Sequence, residues 1–428
     1  MNQALIEPWK FDNEDVPLRV VPLRPREEVE EFAHDRMLVT IAKSWPWADR
    51  ISLPFRRRPD RLLHYVLLET RDFRFEKESG WIRFRVMTKV AIVGANGYSG
   101  EELCSILARH PRVKIASVTS RQHAGKRVTD VLVRLAGLPG IGSMEFSEAG
   151  LENLLGSGAE FVFLALPHGL AAEFAAPLIE AGRKVVDLSA DFRLRDAAVF
   201  HEFYGNEHGA PDLLAEAVFG IPEIYREQIA RARLVASAGC YPTSILLPLV
   251  PLLKAGLIKC STIIASSASG VSGAGRKSEA SLMFAECHES LRAYGIPKHR
   301  HLSEIEQELS KAANDRVSIT FVPHLAPMNR GIHTTIFAAP EEDVDVSLIA
   351  SCWRAAYEAE LFVRLPDSLP DVKNVNYTNF CDIAVRHDAR TGRLIILAAL
   401  DNLVKGAAGQ AVQNFNLMAG FPEAEGLL

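Results

Sequence analysis

The sequence lacks the features that would take it to a membrane, an oxidising compartment or a nucleic acid. No apolar run approaches the roughly 20 residues needed to cross a bilayer. The first residues, MNQALIEPWKFDNEDVPLR, have no basic start followed by an apolar core, and they are acidic. Neither a secretory signal nor a transit peptide is expected. Only six cysteines occur in 428 residues, and none forms a CxxC pair. That spacing excludes a disulfide framework or a cysteine zinc site and indicates a reducing compartment. The formal net charge is −5, so the chain has no basic excess to hold nucleic acid or an anionic lipid surface. Internal repeats and low-complexity segments are absent. The expectation is a cytoplasmic protein of two or three domains.

Composition breaks near residue 87. Residues 1–86 hold four of the five Trp, a single Gly (Gly80) and no Cys. They include an amphipathic stretch, REEVEEFAHDRMLVTIAKSW, and an arginine cluster, Arg56, Arg57 and Arg58. Asp60, Glu69 and Asp72 lie near the cluster, so it reads as a solvated surface. This segment is expected to be an N-terminal extension outside the fold, poorly ordered, and a translated leader ahead of a start at Met87.

From Met87 the pattern becomes regular. TKVAIVGA is a continuous apolar strand of the kind buried in a parallel sheet. SGEELCSILARH reads as an amphipathic helix and VKIASVTS as a second strand. FVFLALP and KVVDLSA are two more strands, with the helix GLAAEFAAPLIEAG between them. Strand and helix alternating at this spacing predict a Rossmann-like, doubly wound parallel sheet. After residue 240 the order changes. A helix over about 242–254 is followed by strands at STIIASSASG, SITFVPHL, HTTIFAAP, FCDIAVRHD and RLIILAALDN. This predicts an α+β domain with a mixed, largely antiparallel sheet. A last helix, GAAGQAVQNFNLMAG, closes the chain. The domain reading is 87–238 plus 402–428 for nucleotide binding and 239–401 for catalysis and oligomerisation.

The first strand runs into GANGYSG, with Gly94, Gly97 and Gly100. Glycines here allow a tight turn and close approach of backbone to a pyrophosphate, which the next helix meets with its free N–H groups. Asn96, Tyr98 and Ser99 complete the loop. An acidic residue ending the second strand would select NAD through its ribose hydroxyl. That strand instead ends in Thr119, Ser120 and Arg121. A hydroxyl and a guanidinium suit a 2′-phosphate, so the expected cofactor is NADP(H).

ASAGCYPTS sets Cys240 between Gly239 and a proline, ahead of an apolar run. Proline favours the first turn of a helix. A thiol at a helix N-terminus meets exposed N–H groups and the positive dipole end, which favour a thiolate. A nucleophilic thiol beside a nicotinamide site implies thioester chemistry with a histidine acid/base. YGIPKHRHLSEIEQEL offers His299 and His301. No third ligand joins them at a suitable spacing, so no metal site is expected. Three segments offer anion cradles: VDLSADFRL with Ser189, Asp191 and Arg193; SASGVSGAGRK with Arg276 and Lys277; HLAPMNRG with Asn329 and Arg330.

From Met87 onward the chain resembles the N-acetyl-gamma-glutamyl-phosphate reductases. The segments that carry the likeness are VAIVGANGYSGEEL, LALPHG, VVDLSADFRL, VFGIPE, SAGCYPTS, SGVSGAGRK, HRHLSEIEQEL, VPHLAPMNRGI and DNLVKGAAGQAVQN. The resemblance implies a two-domain, thioester-forming reductase of arginine biosynthesis, related to aspartate-semialdehyde dehydrogenase. It implies Cys240 as nucleophile, His301 as acid/base and His299 as a substrate contact. It adds Pro167, Gly273, Asn402 and Gln410 to the cofactor contacts, with Asn414 one turn beyond Gln410. Ser189, Arg193, Arg276 and Lys277 are the expected anion contacts for an acyl-phosphate substrate. A homodimer or homotetramer is implied, with no nucleic-acid or membrane partner. Aminoadipyl or aspartyl phosphate as substrate, and a non-catalytic NADPH sensor, are the alternative readings.

Overall fold

The computed structural model describes the backbone of residues 10–11, 14–15, 51–54, 73–78 and 81–86, and every residue from 87 to 428. The chain divides into two compact units, Met1–Met87 and Thr88–Leu428. In the first, strands Ile51–Pro54 and Phe73–Glu78 flank Trp81–Val86 in an antiparallel sheet. The amphipathic stretch at 26–45 and the arginine cluster at 56–58 lie outside the described residues. Of residues 1–86, on which the expectation of poor order falls, all but the strand residues given above lie outside the described residues.

The second unit opens with a six-stranded sheet. Its strands are β1 (Thr88–Val93), β2 (Val113–Thr119), β3 (Phe161–Leu164), β4 (Lys184–Asp187), β5 (Val218–Gly220) and β6 (Leu234–Ser237). The spatial order is β5-β6-β4-β3-β1-β2, and every pair is parallel. Helices α1 (Tyr98–Arg109), α2 (Ala171–Glu180) and α3 (Pro222–Arg231) are its main crossovers. The chain leaves β1 for one side of the sheet and later returns to β3 on the other. That reversal opens a crevice at the carboxyl ends of β1 and β3, where such sheets take ligands. The apolar reading of these strands is met: Val90, Ala91, Ile92 and Val93 are all fully buried.

Helix α4 (Cys240–Lys254) leads into the second sheet. Five of its apolar residues, Ile245, Leu246, Leu247, Leu249 and Leu252, have no exposed surface. Each such side chain contributes about 1.5–3 kcal/mol by leaving water. Pro251 lies inside this helix and has no N–H to offer the carbonyl four residues earlier. The hydroxyl of Tyr357 donates to that orphaned oxygen, on Leu247. Trp353 Nε1 donates to the carbonyl of Pro248 at 2.8 Å. The Tyr357 hydroxyl thereby replaces the donor that Pro251 withholds from the helix.

The second sheet has seven strands: β7 (Ile264–Ser269), β8 (Arg292–Ala293), β9 (Thr320–Leu325), β10 (Ile332–Ala338), β11 (Val363–Arg364), β12 (Cys381–Asp388) and β13 (Arg393–Leu400). Their order is β8-β9-β7-β10-β13-β12-β11. The β7–β9 and β11–β12 pairs are parallel, and the rest are antiparallel. This is the mixed, largely antiparallel sheet expected. Helix α5 (His301–Ala313) packs against α4, as does α6 (Val346–Tyr357). The final helix, α7 (Gly409–Ala419), returns to the first sheet. Its Phe415 ring meets Phe161 at 4.9 Å and Phe163 at 5.5 Å. Lys184 Nζ donates to the Met418 carbonyl at 2.8 Å.

Candidate active site

Two loops and two helix N-termini assemble the site. In the first loop, Gly94 has φ +83°, and a methyl added there would lie 2.4 Å from the Ala165 carbonyl oxygen beyond β3. At Gly100 the same methyl would lie 2.5 Å from the Gly94 oxygen. These two glycines let β1, β3 and the start of α1 close on one another. Gly97 meets nothing so close and serves as the N-cap of α1. Asn96 and Ser99 are half-buried there, and Tyr98 is exposed. At the end of β2, Ser120 is buried and its hydroxyl accepts from the His123 N–H at 3.2 Å. Arg121 is largely exposed, and a carboxylate oxygen of Glu173 lies 4.0 Å away.

Cys240 is the first residue of α4 and Gly239 its N-cap. Gly239 has an ordinary extended backbone, so glycine is required for closeness and not for a turn. A methyl there would lie 2.8 Å from Glu304 Oε1, 2.8 Å from His301 Nε2 and 3.0 Å from an Arg193 terminal nitrogen. The residue before the thiol thus sits at the meeting point of three functional side chains. His301 begins α5 and Glu304 lies one turn later on its buried face. Glu304 is fully buried: one oxygen accepts from Arg193 at 3.2 Å and the other from the Gly239 N–H at 3.2 Å. His301 Nε2 is 3.8 Å from Glu304 Oε1, while its Nδ1 has no hydrogen-bond partner among the described residues. His299 Nδ1 accepts the His301 backbone N–H at 3.1 Å, and the two rings lie edge to face at 5.0 Å.

Cys240, Tyr241, Gly273, Lys277, Tyr294, His299, Arg300 and His301 line one cleft of about 460 Å³. A smaller cavity of about 150 Å³ is lined by His168, Ser189, Arg193, Tyr204, Arg300 and His301. Arg300 and His301 are common to both. The neighbouring Pro167 is exposed, between Leu166 and His168, which line the smaller cavity.

The electrostatics correct one expectation. A helix-tip position favours a thiolate, yet burial pushes the Cys240 thiol up to about 11. The nearby Arg193 charge opposes this without overcoming it. The cost of removing a charged sulfur from water exceeds what the helix end and one guanidinium return. Burial likewise lowers both imidazoles. His299 falls to about 4, with Arg300 adding to the effect. His301 falls well below its ordinary value through burial first, then His299 and Arg193. The resting pair is a neutral thiol and a neutral imidazole.

The other sequence-read residues fall into distinct places. Ser189 Oγ donates to Asp187 at 2.9 Å, and Arg193 also donates to the carbonyls of Ser237 and Leu188. Asp191 caps α2, accepting from Gly169 at 2.6 Å and Ala171 at 2.8 Å. Arg276 pairs with Glu101 and stacks over Tyr98, so it sits at the nucleotide turn and does not line the thiol cleft. Lys277 lines the cleft. The third cradle is closed: Arg330 is buried and committed to Glu102 and Asp401. Asn402 accepts from Gly331 at 2.7 Å and donates to Ser272 at 3.0 Å. Gln410 donates to Thr243 at 3.1 Å, and Asn414 to Gly220 at 3.1 Å; both amide oxygens are buried without a partner among the described residues. Sequence reading passed over Glu304, Arg300 and His168. Glu304 carries a signal: it stands three residues after His301 on the buried stripe of the helix.

Comparison with known proteins decides the family. The semialdehyde dehydrogenase NAD binding domain matches residues 89–232, and the semialdehyde dehydrogenase dimerisation domain matches 240–402. An N-acetyl-gamma-glutamyl-phosphate reductase of Akkermansia muciniphila is 53% identical over 341 residues, covering 79% of this chain and 98% of that protein. The chain belongs to the N-acetyl-gamma-glutamyl-phosphate reductase family. The reductase of the same name from Desulfotalea psychrophila is 48% identical over 344 residues, covering 80% of this chain and 98% of its own. The fold of these reductases is shared more widely. Aspartate semialdehyde dehydrogenase II of Vibrio cholerae, complexed with ASA, superposes with a TM-score of 0.60 at 18% identity, covering 78% of this chain and 98% of that one. The Candida albicans aspartate semialdehyde dehydrogenase with NADP gives 0.59 at 16% identity, covering 80% and 100%. Among the described residues no helix is long and apolar enough to cross a membrane.

Proposed function

We propose that the chain reduces N-acetyl-glutamyl 5-phosphate to N-acetylglutamate 5-semialdehyde with NADPH, releasing phosphate, as a step of arginine biosynthesis. The observation that carries this reading is the cleft in which Cys240, at a helix N-terminus, shares one lining with His299, His301 and Lys277. Residues 87–238 with 402–428 form the nucleotide-binding domain and 239–401 the catalytic and oligomerisation domain. The boundaries of the two matched family domains support that division, and the name of the second supports a homodimer or homotetramer. The protein works in the cytoplasm.

The residues at the glycine turn fit a dinucleotide. Gly94 and Gly100 let the loop pack tightly ahead of the N-terminus of α1, which no side chain caps, and Arg121 is a loosely held guanidinium at the end of β2. The turn from Gly94 to Gly100 would hold the pyrophosphate, with Asn96, Gly97, Tyr98 and Ser99 around it. Ser120 and Arg121 would hold the 2′-phosphate. Pro167, Gly273, Asn402 and Gln410 complete the site, the last through its unpartnered amide oxygen. NADPH bound there supplies the hydride that brings a Cys240 thioester to the aldehyde level. Arg121→Ala is expected to raise KM for NADPH by about tenfold or more and to leave KM for NADH nearly unchanged. Steady-state kinetics with both nucleotides checks this, and equal effects remove the assignment.

The chemistry of the chain itself begins with His301. Its neutral imidazole removes the thiol proton as the sulfur attacks the acyl carbon. The C–S bond forms, the C–O bond to phosphate breaks, and phosphate leaves. Ser189, Arg193 and Lys277 are the anion contacts for the substrate, whereas Arg276 stays at the nucleotide turn with Glu101 and Tyr98. His299 contacts the substrate beside them. The protonated His301 gives the thiol proton to the oxyanion that hydride delivery creates, and takes it back from the resulting thiohemiacetal hydroxyl. The C–S bond then breaks, and that proton returns to the sulfur. The reading is tested by assaying phosphate-dependent NADP reduction with semialdehydes of different length. N-acetylglutamate semialdehyde is expected to exceed its aminoadipate and aspartate counterparts in kcat/KM by roughly 10–200-fold, the discrimination one methylene gives. Preference for another chain length overturns the substrate.

A further inference from the structure

Between β13 and α7 the chain makes a π-turn, Val404–Ala408. Such wide turns are rare and concentrate at functional positions. This one lies against the nucleophile. A methyl on Gly406 would fall 2.7 Å from Cys240 Cβ and 3.2 Å from its Cα. The backbone of the turn is therefore the wall on which Cys240 rests.

The turn is held at both ends. Before it, the buried Asp401 carboxylate accepts from Leu403 at 2.8 Å, Val404 at 3.1 Å and Tyr377 at 2.7 Å. Within it, Lys405 points away from the cleft and into the protein. Its ammonium donates to Glu223 at 2.6 Å and to Gln413 at 2.8 Å, and neither the Lys405 nor the Glu223 side chain is exposed. Glu223 stands in the first turn of α3, and Gln413 Nε2 also donates to it at 2.9 Å. Removing two charges from water is expensive, and an apolar pair of similar volume commonly serves stability as well or better. What an ion pair adds over a greasy contact is a defined distance and direction.

We propose that Lys405 and Glu223 are positioning residues for the nucleophile: their ion pair fixes the π-turn so that Gly406 backs Cys240 and sets the direction of its sulfur. The inference rests on Cys240 being the nucleophile. That premise has its own test, because Cys240→Ala must abolish turnover whatever holds the turn.

Two variants of the full chain test the positioning role. Gly406→Ala puts a methyl 2.7 Å from Cys240 Cβ, closer than two carbons pack. It is expected to lower kcat about 100-fold, the scale of an ångström misplacement at a reacting centre. KM for NADPH should stay within about threefold, as for an effect confined to the transition state. Lys405→Met combined with Glu223→Gln removes both charges and leaves neither uncompensated. This double variant is expected to fold, bind NADPH and lose at least about tenfold in kcat. In both, the rate of Cys240 alkylation by iodoacetamide in the absence of substrate should change by at least about tenfold, because that rate reads the surroundings of the sulfur directly. Wild-type kcat and alkylation in either folded variant overturns the proposal. A loss limited to Tm or NADPH binding, with alkylation unchanged, also overturns it.

Discussion

Cys240→Ser is expected to lower turnover by at least about 10⁴-fold while NADPH still binds. Serine is close to cysteine in size and is a favoured residue at helix starts, so α4 keeps its N-terminus. The hydroxyl is a far poorer nucleophile at neutral pH, and the Cys240 environment worsens this. Burial pushes even the thiol up to about 11, and a less acidic hydroxyl has less chance of ionising there. Turnover is followed as phosphate-dependent NADP reduction, and binding as quenching of NADPH fluorescence. Near-normal turnover in this variant would end the thioester account.

His301→Asn is expected to cost about 10²–10⁴-fold in kcat, the usual contribution of a positioned acid/base. Its pH profile is more telling than its size. The imidazole is held well below its ordinary value by burial, His299 and Arg193. A lowered pKa keeps the base form present at neutral pH and carries it into acid. The acid limb of kcat/KM in the native protein should therefore lie below pH 6.5. Without His301 the reaction needs a thiolate made by solvent alone, so the residual rate should climb with pH toward the thiol value near 11. A variant with the native profile would exclude His301 as the base. Glu304 bears on the same step. Its buried carboxylate, 3.8 Å from His301 Nε2, faces the charge that forms when the imidazole takes a proton.

Nine of the thirteen strands of the two sheets were legible in the sequence, because their signals are local; the short β5, β6, β8 and β11 were not read. Buried parallel strands read as unbroken apolar runs, as Val90 to Val93 do. The place of Cys240 was legible for the same reason, since a glycine before it and a proline after it mark a helix start. The state of its sulfur was not. The residue that crowds it, Gly406, lies far along the chain, and no local pattern announces a contact between them. Glu304 was hidden differently. In HLSEIEQEL it looks like one more acidic residue of an amphipathic helix, and only packing against α4 shows that it faces inward. Arg330 misled in the opposite sense. An arginine after a glycine-flanked loop suggests an anion cradle, but two distant carboxylates, Glu102 and Asp401, already hold it. Arg276 belongs with it: sequence proximity to Lys277 implied one shared site, while Glu101 and Tyr98 draw it to the nucleotide turn.

The central claim is that substrate becomes covalently attached through one sulfur. Mixing the protein with N-acetyl-glutamyl 5-phosphate in the absence of NADPH, followed by intact-mass and peptide mass spectrometry, tests it directly. The account predicts a single acyl adduct per chain, on the peptide bearing Cys240, with one phosphate released for each adduct and hydroxylamine removing the label. Phosphate release without an adduct, or an adduct that persists unchanged in Cys240→Ser, would contradict it.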